Sequence, residues 1–173
     1  MVTVYYLLIL AVGLERLVEL VVSKRHASWA LANGGREFGR SHYPYMVAIH
    51  TALLIGCVLE VWLLDRPFLP WLGWPMLAVV LLSQGLRWWC VATLGRRWNT
   101  LVIVIPGLPL VNRGPYRWLR HPNYVAVVAE GIALPLIHSA WLTALLFFVA
   151  NALVLTVRIR VENAALQTAA AHV

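Results

Sequence analysis

Residues 114–131 (GPYRWLRHPNYVAVVAEG) place polar and aromatic side chains at the mouth of an apolar segment. Pro122 is well suited to the first position of a helix, which puts His121 at the cap. The free N–H groups and partial positive charge of such a helix start attract anions, and Arg117 and Arg120 add two guanidinium groups beside it. This combination predicts a site for a carboxylate or a phosphate.

The aromatic residues of the same stretch leave two interpretations open. Tyr116, Trp118 and Tyr124 stand among the cations, which favours a shaped pocket. A basic helix entry is also a frequent headgroup anchor, and these rings equally fit the aromatic belt of a membrane interface.

Ionisable residues inside or beside other apolar stretches are further candidates, because burying them in a bilayer is costly. Glu15 and Glu19 share one helical face, and they are either an interfacial pair or the polar wall of a cavity. Arg158 and Glu162 are also four apart, where a simple i,i+4 pair is the default interpretation. Arg87, one turn from Gln84, is expected to line a cavity.

Three other polar residues have weaker signals. His50 lies inside an apolar stretch, where it either faces a cavity or is a hydrogen-bonded structural histidine. Asn99 is a candidate contact for a cofactor or an acceptor. Glu60 approaches a membrane interface beside Asp65 and Arg66, where we expect it to be solvated.

The composition identifies the class of protein. Of 173 residues 61% are hydrophobic and 12% are charged, against about half and a quarter in soluble domains. Apolar stretches fall at about 2–22, 44–64, 68–94, 123–136 and 139–157. All but the fourth reach the ~20 residues of a membrane span, so the last two form either two spans or a short helical hairpin. We expect an all-α integral membrane protein with about five transmembrane helices in a single domain, 1–173.

The distribution of basic residues predicts the orientation. Lysine and arginine are concentrated in the 23–43 loop, the 95–122 loop and the tail after 157, whereas the loop between the second and third spans has only Arg66. By the positive-inside rule the N-terminus is outside and the C-terminus is cytoplasmic, as in a bacterial inner membrane. A net charge of +7 arranged in this way does not indicate nucleic acid. The polar groups converge on one leaflet and predict a cytoplasmic-side site that is also open to the bilayer.

The stretch LVNRGPYRWLRHPNYVAVVAEGIALPL, followed by RIRVENAAL, resembles the isoprenylcysteine carboxyl methyltransferase family over roughly residues 95–166. The motif Gly-Pro-Tyr then Arg-His-Pro-x-Tyr, which is shared with membrane phospholipid methyltransferases, and the motif Arg-x-x-x-Glu carry the resemblance. It implies a five-helix enzyme that binds S-adenosylmethionine on the cytoplasmic side and releases S-adenosylhomocysteine. A lipophilic acceptor would enter from the membrane.

The resemblance also implies roles for single residues. The family's cofactor residues fall on His121, Pro122 and Tyr124, and its acceptor-end residues fall on Arg158 and Glu162. Ala126 stands where the family often has glycine, and Asn163 stands where it often has a second acid.

Methyl transfer fits these residue types. Arg120 and the helix entry, with Tyr116 and Arg117 beside them, match a cofactor that has a carboxylate and a sulfonium. Arg158 could hold an anionic acceptor, and Glu162 could orient Arg158 or accept a proton. The candidate acceptor-binding residues are Glu15, Glu19, His50, Arg87 and Asn99, and no metal is expected. We favour O-methylation of a long-chain phenol- or pyrone-type lipid, or of a carboxylate lipid.

Other functions stay open at this point. An amine or phospholipid N-methyltransferase and an NADPH-dependent membrane reductase of related fold are the enzyme alternatives. A membrane haem-binding subunit, using His42, His50 or His121, and a scaffold subunit are the non-enzyme alternatives. The acceptor and the oligomeric state are not predicted.

Overall fold

The computed structural model describes residues 1–170 of the chain and consists mainly of five helices. They are α1 (Val2–Ala32), α2 (Tyr43–Leu63), α3 (Pro70–Leu94), α4 (Pro122–Leu136) and α5 (Trp141–Ala170). The predicted all-α integral membrane fold is confirmed, with one small addition. Two short strands, β1 (Arg36–Phe38) and β2 (Val102–Val104), pair antiparallel and join the α1–α2 connection to the long α3–α4 connection.

The helices differ in how they suit a bilayer. Among residues 1–170, α2, α3 and α5 are long and apolar enough to cross a membrane. The 15 residues of α4 measure about 22 Å, less than a hydrocarbon core of ~30 Å. The 31 residues of α1 extend well past the predicted first span, ending at Ala32, and carry three charged residues near the middle.

Prolines mark the helix boundaries that matter for the site. Pro70 begins α3 and Pro122 begins α4, where a missing N–H costs nothing. Pro106 and Pro109 lie in the non-helical path between β2 and α4. The chain enters α4 after a short 3-10 helix (Gly114–Arg117), with His121 as the N-cap residue that the sequence predicts.

α4 lies against both α3 and α5. Small buried residues allow this close approach. At Gly131 a Cβ atom would come within 1.9 Å of the Phe147 ring of α5, so only glycine fits. Ala126 is fully buried, and its methyl group is accommodated where a glycine is usual in the resembled family.

We call the end of the bundle where α4 begins and α5 finishes the motif end, and the other end the opposite end. Glu60 at the opposite end was expected to be solvated, and this prediction is wrong. Its side chain is buried and accepts hydrogen bonds from the N–H groups of Leu142, at 3.2 Å, and Thr143, at 2.7 Å. It also pairs with Arg66 at 2.9 Å. The carboxylate therefore caps the first turn of α5, whose free N–H groups need an acceptor.

Candidate functional site

The predicted candidates for catalysis and cofactor binding meet at the motif end. His121 and Tyr124 from the start of α4 contact Arg158, Glu162 and Asn163 near the end of α5, although 34 to 42 residues separate the bonded pairs. We call these five residues the motif-end site.

Tyr124 links the two predicted catalytic residues. Its hydroxyl donates a hydrogen bond to Glu162 and accepts one from Arg158 Nε at 2.8 Å. The Arg158 guanidinium also lies 5.6 Å from the centre of the Tyr124 ring. Among the ion pairs of residues 1–170, Arg158 and Glu162 form none with each other. The default i,i+4 pair is therefore replaced by a bridge through the phenol, because Tyr124 reaches both side chains.

His121 is held from two sides. Its ring stacks on Tyr124 with centroids 5.3 Å apart, and its Nε2 lies 3.1 Å from Asn163 Oδ1. Its Nδ1 lies 3.5 Å from a Glu162 carboxylate oxygen. The hydrogen bond with Glu162, more than any other influence, raises the pKa of the His121 imidazole, against the effects of burial and of Arg120. Asn163 stands where the family often has a second acid. Its side-chain oxygen is a second hydrogen-bond acceptor for the His121 ring, beside Glu162, and it adds no second negative charge.

The start of α4 is open to a ligand. No side chain of the described residues caps it, Pro122 is buried at its first position, and Arg117 and Arg120 are exposed close by. The Oδ1 atom of Asn123 is buried without a hydrogen-bond partner in the part of the chain that the structure describes. The start of α4 thus offers N–H and guanidinium groups to an anion, and the Asn123 oxygen to a hydrogen-bond donor.

Tyr116 lies behind the helix start and is half-buried. Burial and the neighbouring Cys90 raise the pKa of its phenol, so Tyr116 stays neutral.

Arg158 reaches past the motif-end site towards α2. The side chain is buried, and its Nη1 lies 3.2 Å from the sulfur of Met46. A thioether is a weak acceptor, so this N–H group is poorly satisfied. Sequence reasoning missed Met46, because a methionine in an apolar span carries no polar signal.

A second polar cluster lies one to two helical turns deeper. It joins three helices, and we call it the inner network: Glu15, Arg16 and Glu19 on α1, Gln84, Arg87 and Trp88 on α3, and Glu130 on α4. Three of the predicted acceptor-binding residues, Glu15, Glu19 and Arg87, are therefore brought together here and not at the motif-end site.

Two guanidinium groups hold the carboxylates of the inner network. Arg16 lies 2.6 Å from Glu19 and 2.8 Å from Glu130. Arg87 lies 3.1 Å from Glu130 and 3.5 Å from Glu19. Sequence reasoning gave Glu130 no role, because its partner Arg16 is 114 residues away.

The remaining members face the edge of the cluster. The indole N–H of Trp88 donates to Glu15 at 2.6 Å, and the Gln84 amide donates to Glu15 and, at 3.3 Å, to Glu130. Trp88 is exposed, so this side of the inner network lies next to the lipid-facing surface.

His50 lies between the two sites. Its Nδ1 bonds the Met46 carbonyl oxygen at 2.8 Å, and its ring meets the Phe147 ring edge-on. It lines a small cavity with Arg16, Arg87 and Glu130 of the inner network. The structure thus places this candidate at a cavity, next to both polar sites.

Asn99 belongs to neither site. Its Oδ1 accepts hydrogen bonds from the Ser23 hydroxyl at 2.8 Å and from the Leu101 N–H at 2.9 Å, and its amide donates to the Ser23 carbonyl at 3.3 Å. These hydrogen bonds fasten the α3–α4 connection to α1. The structure thus gives Asn99 a structural role, and its candidate contact with a cofactor or an acceptor stays a prediction.

The chain is similar to known proteins over most of its length. The model of the isoprenylcysteine carboxyl methyltransferase (ICMT) family matches residues 76–168. An uncharacterised protein of Bacillus subtilis (strain 168), YpbQ, is 40% identical over 164 residues, which cover 94% of this chain and 96% of that protein. An uncharacterised protein of Haemophilus influenzae is 25% identical over 154 residues, 87% of this chain and 88% of its own. No solved structure matches the chain.

Proposed function

Because this chain belongs to the isoprenylcysteine carboxyl methyltransferase family, we propose that it transfers a methyl group from S-adenosylmethionine to an oxygen of a lipophilic acceptor. The acceptor class we favour is a long-chain phenol- or pyrone-type lipid, or a carboxylate lipid. The observation that carries the proposal is the bridge in which Tyr124 of the first motif holds both Arg158 and Glu162 of the second.

The start of α4 fits the amino-acid end of the cofactor. Its uncapped N–H groups, with Arg117 and Arg120, suit a carboxylate, and the partnerless Oδ1 of Asn123 suits an ammonium group. The Tyr124 ring suits a neighbouring cation. When bound, the cofactor supplies an electrophilic methyl group on its sulfonium.

Arg158 is placed to bind the acceptor. Within residues 1–170 the hydrogen-bond partner of its Nη1 is the weak sulfur acceptor of Met46, so an oxyanion at that position would gain a charge-assisted hydrogen bond. The guanidinium would orient the oxygen and lower the cost of its negative charge. Holding two reactants in line supplies ~7–11 kcal/mol of rate acceleration in well-oriented systems.

Glu162 is placed to receive the proton of a neutral acceptor. It already accepts the Tyr124 hydroxyl hydrogen bond, and it lies 3.5 Å from His121. A proton taken up by this carboxylate has a path along His121 towards the surface. General bases of this kind contribute about 10²–10⁴-fold to rates.

The basic loops support an orientation with the motif end at the cytoplasm. Arg117 and Arg120 border the site, and the sequence has no acidic residue between 66 and 129. Under the positive-inside rule the N-terminus is then outside, in a membrane such as the bacterial inner membrane. The acceptor would reach the site from the bilayer, and the cofactor would reach it from the cytosol.

The test begins with calorimetric titration of the detergent-purified protein with S-adenosylhomocysteine. We expect saturable binding that His121→Ala weakens. With labelled S-adenosylmethionine, Glu162→Gln should lower turnover about 10²-fold or more with little change in cofactor affinity. The control is Arg66→Lys, a conservative change in the Glu60 pair at the opposite end of the bundle.

The acceptor screen should contain lipophilic phenols, prenylcysteines and phospholipids, so that amine methylation is tested beside O-methylation. Folded wild-type protein that binds no S-adenosylhomocysteine, in detergent and in lipid nanodiscs, would refute the proposal. Full activity in both site variants would refute the residue assignment.

A further inference from the structure

A groove at the motif end lies outside both polar sites described above. It runs between the last turn of α3 and the segment from Pro109 to Arg113, and its volume is about 360 Å³. Leu94 and Leu110 line it with apolar surface, and Arg97 and Arg113 line it with positive charge. The groove therefore suits a ligand that has an anionic part and an apolar part.

The two arginines of the groove are held by main-chain oxygens. Arg97 Nη1 donates a hydrogen bond to the Pro109 carbonyl oxygen at 2.8 Å, and Arg113 Nη2 donates one to the Thr93 carbonyl oxygen at 3.4 Å. A guanidinium group has five N–H donors, so each arginine keeps donors for a ligand. Within residues 1–170 neither arginine forms an ion pair. The two positive charges are fixed in place and are not balanced by a carboxylate.

The end of α3 acts against an anion, because the last carbonyl groups of a helix carry about half a negative charge. The two guanidinium groups carry two positive charges, and Arg113 covers one of those carbonyl groups, that of Thr93. The positive charge is therefore in excess. A phosphate group fits best, since its oxygens match the planar fork of a guanidinium.

A pair of tryptophans places the groove at the surface of the bilayer. Trp89 and Trp118 are exposed, and their rings meet edge-on with centroids 5.9 Å apart. Tryptophan is enriched where a membrane meets water. Gly114, with φ +55°, holds the turn after Arg113 against α3, because a Cβ atom there would lie 2.5 Å from Thr93 Oγ1 and 3.1 Å from Trp89 Nε1. Arg113 is therefore close to this pair, at the depth of the lipid headgroups.

We propose that the groove binds the headgroup of an anionic phospholipid, with the phosphate at Arg97 and Arg113 and the acyl chains along α3 beside the tryptophan pair. This inference goes beyond the proposed function and does not depend on the methyl acceptor. A bound headgroup bridges α3 and the segment 109–113, which continues through the 3-10 helix Gly114–Arg117 into α4. The lipid thereby stabilises the approach to the motif-end site.

The test is native mass spectrometry of the detergent-purified full chain, with phosphatidylglycerol and phosphatidylcholine of the same acyl chains. One arginine near an anionic lipid contributes about fivefold, so the pair should give roughly 25-fold tighter binding of phosphatidylglycerol. The double variant Arg97→Gln, Arg113→Gln should lose most of this preference, and Arg97→Lys, Arg113→Lys should keep most of it. The matched control is Arg25→Gln, Arg36→Gln, which removes two exposed positive charges outside the groove and should keep the preference.

The wild-type comparison decides the proposal even if a variant does not fold, which size-exclusion chromatography would reveal. Equal binding of the two lipids would overturn it. An equal loss of preference in the control variant would also overturn it, because the attraction would then belong to the whole basic surface. So would binding of inorganic phosphate alone as tight as that of phosphatidylglycerol, since the site would then take a soluble anion.

Calorimetry with S-adenosylhomocysteine separates the groove from the cofactor site. Its affinity should be unchanged in Arg97→Gln, Arg113→Gln, and a loss of binding by the folded variant would assign the groove to the cofactor and overturn the proposal. Failure of the proposed function alone would look different: wild-type protein would bind no S-adenosylhomocysteine, but its preference for phosphatidylglycerol would remain.

Discussion

Replacing Arg16 with glutamine should destabilise the protein more than changing any surface arginine. Arg16 lies 2.6 Å from Glu19, 2.8 Å from Glu130 and 3.6 Å from Glu15. Without it, three closely spaced carboxylates face the single guanidinium of Arg87. The variant therefore leaves negative charge in the interior with too few partners.

The size of the effect follows from the burial of those carboxylates. Glu19 and Glu130 have side chains that are 6% exposed. Removing one partner of a buried ion pair costs about 3–5 kcal/mol, because the charge left behind is uncompensated. We expect a loss of about 3 kcal/mol for Arg16→Gln, since Arg87 still contacts both residues. This exceeds the ~0.6 kcal/mol average of interhelical hydrogen bonds in membrane proteins.

The free energy of unfolding would be measured by detergent-induced unfolding in mixed micelles. Arg40→Gln is the matched control, because Arg40 is 87% exposed and lies 3.8 Å from Glu37, where a pair is worth ~0–1 kcal/mol. The double variant Arg16→Gln, Glu130→Gln restores the balance of charges. It should lose less than the sum of the two single variants, by about 1–3 kcal/mol. A deficit of Arg16→Gln below about 1 kcal/mol at neutral pH, or additive behaviour in the double variant, would show that the inner network does not act as a coupled charged cluster.

Two further predictions concern the ends of the bundle. The pKa of His121 is raised, mainly by its hydrogen bond with Glu162. The stabilisation from this raised pKa is therefore complete below about pH 6.5, the value of a free imidazole, and it is lost as the pH rises through the raised pKa. The melting temperature should therefore fall between about pH 6 and about pH 9 more in wild type than in His121→Gln; an equal fall in both would contradict this. At the opposite end, Glu60→Ala should cost about 2 kcal/mol in the same micelle titration, because it removes the acceptor of a buried N–H group. Glu60→Gln keeps an oxygen there and should cost less, and equal losses would rule out capping as the role of Glu60.

Features that depend on local chemistry could be predicted from the sequence. The bilayer demands long apolar helices, so composition alone identifies the class of fold. Pro122 begins α4 and His121 precedes it as the N-cap residue, because proline is favoured at the first position of a helix. The two family motifs predicted four residues of the motif-end site. The first motif contains His121 and Tyr124, and the second contains Arg158 and Glu162.

Features that depend on which helices touch could not be predicted in this way. Spacing along α5 favours a pair between Arg158 and Glu162, yet the Tyr124 phenol reaches both from another helix. The proximity of Glu60 to Arg66 and Asp65 indicated a solvated group, but packing brings the start of α5 over Glu60. Glu130 had no partner within its own segment, so its contact with Arg16 depends on a helix placement that no local pattern encodes.

The unbroken length of α1 has a mechanical consequence. Its 31 residues measure about 46 Å, so the helix is longer than a hydrocarbon layer of ~30 Å is thick. α1 is attached to the rest of the protein at two points along its length. Arg16 bonds Glu130 in the inner network, and Ser23 bonds Asn99 in the α3–α4 connection. Because α1 is one continuous helix, its two attachment points move together. If a thinner bilayer increases the tilt of α1, both attachments shift. A change in the tilt of α1 would therefore also move the segment that leads into α4.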